Sequence, residues 1–190
     1  MTARTHDLAA ITAYGYVVLT QPARMVTVTT ALIAVVANQI GGIAPDIDQP
    51  TAPFWRNLPV GGYLGKLIDK MLGGHRFITH SLIGLVIFGV GFRALLDLLH
   101  PIMPAMDIHI VWWAFIIGMI SHLVMDTFTK EGVPWLLPIP FKFGLPPVKS
   151  LRVTTGKWVE KSFFIGLLAV GLWYSSSHYT QLVNVFHHIK

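Results

Sequence analysis

Five apolar runs alternate with polar, proline-punctuated connections along the chain, and their lengths predict helices rather than strands. The first run, Leu8 to Leu19, is broken by Thr12 and by Tyr14-Gly15-Tyr16, and it is short against the ~20 residues that cross a hydrocarbon core. Arg4 ahead of it gives the outline of a signal peptide, but the segment is expected to remain as a first helix. Met25 to Ala44 has the length of a span and stops at Pro45-Asp46-Ile47-Asp48-Gln49-Pro50, where proline prevents a regular helix from continuing. Residues 51 to 74 read as a loop with a short amphipathic helix around Tyr63 to Leu72. Gly73-Gly74 closes it, and His75-Arg76-Phe77-Ile78-Thr79-His80-Ser81 opens a third span to about Leu99, in which Arg93 and Asp97 can pair at i,i+4. The fourth span runs from Ile108 to Thr127, a proline-rich basic loop covers 128 to 161, and the fifth span runs from Ser162 to about Val183.

Composition agrees with this pattern. The 190 residues are 53% hydrophobic and 12% charged, against roughly 25% charged in soluble domains. The expectation is an all-α, polytopic membrane bundle of about five transmembrane helices, with residues 1–190 forming one domain. The chain has no cysteine, so any metal must be held by His, Asp, Glu or backbone oxygen. The net charge of +5 is what membrane topology itself requires, and no nucleic-acid partner is expected.

If all five segments span, the exits of the second and fourth and the entries of the third and fifth fall on one side, together with the N-terminus. That side collects His6, Asp46, Asp48, His75, His80, His122, Asp126 and Glu160. It also carries eleven of the fourteen basic residues, with only Arg24, Arg93 and Lys190 opposite, so the positive-inside rule makes it cytoplasmic.

Each of these residues has an ordinary structural reading beside a chemical one. Asp46 and Asp48 suit a turn, yet two carboxylates at the end of a span are costly without a cation. His122 and Asp126 share a helix face at i,i+4 deep in an apolar run, where an unpaired polar group costs several kcal/mol. A buried His–Asp hydrogen bond and metal ligation both satisfy them. His75 and His80, five residues apart, converge only if the first lies in the Gly-Gly loop. Glu160 suits a helix N-terminus or a general base, and Arg76 suits the interface or a clamp on an anionic group. The proposed metal ligands are Asp46, Asp48, His75, His80, His122 and Asp126, with His6 as a weaker candidate. That is more than one zinc can use, so two or more ions are expected. Asp48 or Glu160 would serve as general base and Arg76 would stabilise developing negative charge. A bound metal would lower the pKa of a water toward ~7 for attack on an ester.

The order Thr5-His6, Pro45-Asp46-x-Asp48, His75-Arg76-x-x-Thr79-His80-Ser81 and Ser121-His122-x-x-x-Asp126-x-x-Thr129-x-x-Gly132-Val133-Pro134, followed by Pro138, resembles the YdjM-like family of bacterial inner-membrane proteins described as metal-dependent hydrolases. More distantly it is similar to zinc-dependent phospholipases C and related nucleases, which hold zinc clusters with helix-borne His and Asp. The resemblance implies a multi-pass protein of the bacterial plasma (inner) membrane and a hydrolytic activity. A phosphoester, such as a phospholipid or another lipid-linked phosphate, is favoured over a peptide: the chain lacks a His-Glu-x-x-His helix, and a basic face at the lipid bilayer suits an anionic head group. The competing expectation is a non-enzymatic metal-binding membrane protein, either a divalent-cation transporter or a regulatory protein. It is ranked second because the polar residues gather at span ends on one face instead of along a pathway.

Overall fold

The computed structural model describes residues 1–74, 76–139 and 141–190, and the backbone alone of Pro53. Among the described residues eight α-helices are formed: α1 Ala3–Thr20, α2 Val28–Ile43, α3 Pro53–Arg56, α4 Gly61–Met71, α5 Leu82–Leu99, α6 Ile108–Thr127, α7 Trp158–Ser177 and α8 Tyr179–His187. Among the described residues, three segments are both long and apolar enough to cross a membrane: Val28–Asp48, Leu82–Ile102 and Ile108–Thr127. α1 and α7 have 18 and 20 residues but carry more polar side chains.

Helix ends follow local chemistry. Asp107 accepts from the N–H groups of His109 and Ile110 and starts α6; Ser81 does the same for Gly84 and α5, and Thr27 for Thr30 and α2. Such caps stabilise a helix by about 1 kcal/mol each. Beyond Ile43 the chain tightens into a 3-10 turn over Ala44–Asp48, the irregular backbone that Pro45 demands. The third span starts later than the sequence suggests: residues 76 to 81 form turns, and the helix waits for the Ser81 cap. The fifth segment is divided, because α7 ends at Ser177 and α8 restarts at Tyr179 after His178.

α6 is the central helix. α2 lies against it along its length, α1 packs on both, α5 covers another side of α6, and α7 packs on α1. Glycine sets the α2–α6 approach: a Cβ on Gly41 would collide with the Phe115 carbonyl, and one on Gly118 with the Asn38 carbonyl. Membrane helices associate through such small-residue contacts because lipid gives apolar side chains little reason to leave it. Asn38 Nδ2 donates to the Ala114 carbonyl at 3.0 Å across the same seam. Val111, Ala114, Phe115 and Met119 of α6 form the core with Ala34 and Ala37 of α2, while Leu32, Val36, Val86 and Val90 face outward, as lipid contact requires. This packing brings the C-terminal ends of α2 and α6 and the N-terminal ends of α1, α5 and α7 to one end of the bundle.

Candidate metal centre

Asp126, at the C-terminal end of α6, is the hub of that end. Its Oδ1 lies 2.6 Å from the Met1 amino group and 3.3 Å from His6 Nε2. Its Oδ2 lies 2.5 Å from Arg76 Nη2, 3.6 Å from His80 Nε2 and 3.8 Å from His122 Nε2. Asp46 approaches from the 3-10 turn, with Oδ1 at 3.7 Å from His80 Nε2 and 3.6 Å from His122 Nε2. The rings of His6 and His122 stack at 3.7 Å, and His80 meets His122 edge-on at 5.2 Å. His6, His80, His122 and Asp126 are buried; Asp46, at 25% exposure, links the cluster to solvent.

Two sets of donors emerge, His6–His122–Asp126 and Asp46–His80–His122, each with its ligand atoms within 4.8 Å of one another. Either could hold a metal ion. His122 shows how the chain prepares such a set: Nδ1–H donates to the Gly42 carbonyl at 2.6 Å, which leaves the Nε2 lone pair aimed at the carboxylates. Among the described residues Nε2 of His122 and both ring nitrogens of His6 lack a hydrogen-bond partner. Buried polar atoms left this way cost ~1–3 kcal/mol each, a cost that a cation would offset.

Asp48, expected as a ligand, lies against the backbone and side chains that carry His80. Its Oδ2 accepts from the Arg76 N–H at 3.0 Å and from the Thr79 hydroxyl, and it lies 3.5 Å from His80 Nδ1. Among the described residues it belongs to neither donor set, and it orients His80 so that Nε2 faces Asp46 and Asp126. Burial alone would lower the pKa of His80, but the carboxylates of Asp126 and Asp48 outweigh it and raise that pKa. His75 lies outside the described residues.

Arg76 and Glu160 are both held by several neighbours. Arg76 sits in the left-handed region at φ 61° and is held there by Asp48 on its N–H, by Asp126, and by Nη1 donation to Thr129 Oγ1 at 2.7 Å and the Gly132 carbonyl at 3.3 Å. Expected as a clamp on an anionic group, it engages the carboxylate of Asp126 in this structure. Glu160 receives four hydrogen bonds: Oε1 accepts from the Thr2 N–H at 2.6 Å and from the Thr2 and Thr5 hydroxyls at 2.7 Å, and Oε2 accepts from the Gly156 N–H at 2.6 Å. Ahead of the apolar part of α7, burial would raise its pKa, but these donors pull it down to about 2. Glu160 therefore ties the start of α1, and with it His6, to α7.

Thr79 and Thr129, which stand in the family pattern without an assigned role, and the Gly42 carbonyl complete the centre. Thr79 and Thr129 stand beside His80 and three residues after Asp126, the places from which a hydroxyl reaches its neighbour's ring or helix end. A backbone carbonyl such as that of Gly42 leaves no trace in side-chain chemistry.

The sequence model of the YdjM inner membrane protein family matches residues 1–183, which include every element of this centre. The chain belongs to that family. It is 27% identical to the uncharacterized protein YvsG of Bacillus subtilis over 177 residues, 92% of this chain and 94% of that protein. It is 28% identical to the inner membrane protein YdjM of Escherichia coli over 132 residues, covering 69% of this chain and 61% of that protein, and equally so to YdjM of Shigella flexneri. No solved structure matches it significantly. Family membership makes this an inner-membrane protein, and the apolar helices supply the spans.

Proposed function

We propose that this YdjM-family protein is a membrane-bound, metal-dependent hydrolase whose centre lies at the cytoplasmic face and whose substrate is a phosphoester. The observation that carries the reading is the pair of His/Asp donor sets, buried at one end of a membrane bundle and open to solvent at Asp46. Two donors on a tetrahedral zinc with bonds of ~2.0–2.1 Å stand about 3.3 Å apart. The observed separations of 3.3, 3.6 and 3.7 Å lie close to that value. A bound divalent cation would supply Lewis-acid polarisation of an ester oxygen. The chain's own part is to set His122 through Gly42 and His80 through Asp48, to exclude bulk water around Asp126, and to leave Asp46 at the solvent edge, where a carboxylate can take a proton.

The test measures metal content and phosphoester hydrolysis on protein purified without chelator. Zinc or another divalent metal near stoichiometry is expected, together with loss of hydrolysis in Asp48→Asn by about 10- to 100-fold, as for residues that orient metal ligands. Stoichiometric absence of metal from folded protein overturns the reading. The engagement of Arg76 by Asp126 favours a second reading, a non-enzymatic metal-binding membrane protein in which the centre holds a cation without turning over substrate. Metal retained with no hydrolysis of lipid, nucleotide or simple phosphoesters selects that one.

Orientation has its own test, which the absence of native cysteine makes clean. A cysteine placed in the 128–161 loop is expected to be shielded from an impermeant thiol reagent added to whole cells, and one beside Asp107 to react. The reverse labelling would place the centre outside.

A further inference from the structure

A cavity of about 760 Å³ lies beside the centre, between α2 and α5. It exists because both helices pack on α6 without closing extensively on one another. Ile40 and Ile43 form one wall, Ile87, Gly91 and Leu95 the other, and Phe115 of α6 lies at the floor. Its polar residues are few, and one of them is Asp46, which also belongs to the Asp46–His80–His122 donor set. A single groove therefore runs from candidate metal ligands into the apolar flank of two membrane-spanning segments.

We infer that this groove takes one hydrocarbon tail of a phosphate-bearing membrane lipid, whose head group then lies at Asp46; the inference rests on the hydrolase reading above and names its substrate class. Three observations argue for a lipid over a soluble ester. Ile40, Ile43, Ile87 and Leu95 are between 37% and 55% exposed, so the groove opens to hydrocarbon along its length and not only at the membrane surface. From Ile87 to Leu95 helix α5 rises about 12 Å, close to the ~15 Å of one leaflet's hydrocarbon. Gly91 has open space where a side chain would stand, so the wall is recessed at mid-groove. A lipid can enter sideways from the bilayer without its tail crossing the polar surface.

The test uses the full chain, zinc-supplemented, in phosphatidylcholine vesicles doped with phosphatidic acid that carries a photoactivatable diazirine on one tail. A diacylglycerol bearing the same tail serves as the phosphate-free arm. Label is expected to concentrate on the groove residues over Ile165 and Leu172 of α7, which are more exposed, and phosphatidic acid should label several-fold more than diacylglycerol. Gly91→Trp should cut groove labelling at least five-fold and leave α7 labelling and metal content unchanged. Equal labelling of groove and α7, or indifference to Gly91→Trp, overturns the tail slot; equal labelling by the two lipids overturns the selection of phosphate. Selective labelling of a protein that holds no metal supports the lipid slot and overturns the hydrolase reading alone.

Discussion

His122→Ala is expected to lower metal affinity by about 100-fold or more, since outer-shell partners alone are worth 10- to 100-fold and His122 offers a direct donor to both sets. Asp126→Ala should have a comparable effect and in addition strand Arg76 in its left-handed conformation, with its main charge partner gone. Metal analysis after gel filtration, with a competing chelator to rank affinities, checks both. His109→Ala, at the opposite end of α6, should retain the metal. Full occupancy in His122→Ala would remove the centre as assigned.

Gly118→Leu should be the most damaging change outside the centre. Its Cβ would meet the Asn38 carbonyl and the Gly42 nitrogen, both backbone atoms that cannot turn aside. Overpacking of this kind costs about 3 kcal/mol or more. At ~2–4 °C per kcal/mol for a chain of this size, thermal unfolding in detergent should fall by roughly 6–12 °C. Because Gly118 stands one turn before His122, prying α2 away also breaks the bond from His122 Nδ1 to the Gly42 carbonyl, so metal should be lost at temperatures where the helices persist. Gly15→Ala, with open space at its Cβ, is the matched control and should be neutral or slightly stabilising.

Much of this architecture was legible in the pattern of the chain. The fourth span was expected over Ile108 to Thr127 and is formed over that range, because its Asp107 cap and its uninterrupted apolar run act locally. Gathering of His6, Asp46, His80, His122 and Asp126 at one end followed from counting crossings, a constraint that needs no side-chain detail. The places where sequence reasoning stopped short are those decided by tertiary contacts. Helix α1 begins at Ala3, well before the apolar run at Leu8, because Glu160 receives Thr2 and Thr5 from across the bundle. Asp48 and Arg76 were read by residue type alone, and it is the turn that Pro45 imposes that brings Asp48 to the backbone of residue 76 and the hydroxyl of Thr79. Composition can nominate such groups, but only packing assigns their partners.

The sharing of His122 between the two donor sets limits how the centre can fill. With Nδ1 spent on the Gly42 carbonyl, the ring has one lone pair, at Nε2, and one lone pair serves one cation at a time. Among the described residues, a cation bound through His122 would take either an inner place at His6 and Asp126 or an outer one at Asp46 and His80, and filling either would strip the other of its imidazole. An ion passing between them would keep His122 as a constant ligand while exchanging the rest, moving from the sealed interior toward the solvent edge without ever becoming fully uncoordinated.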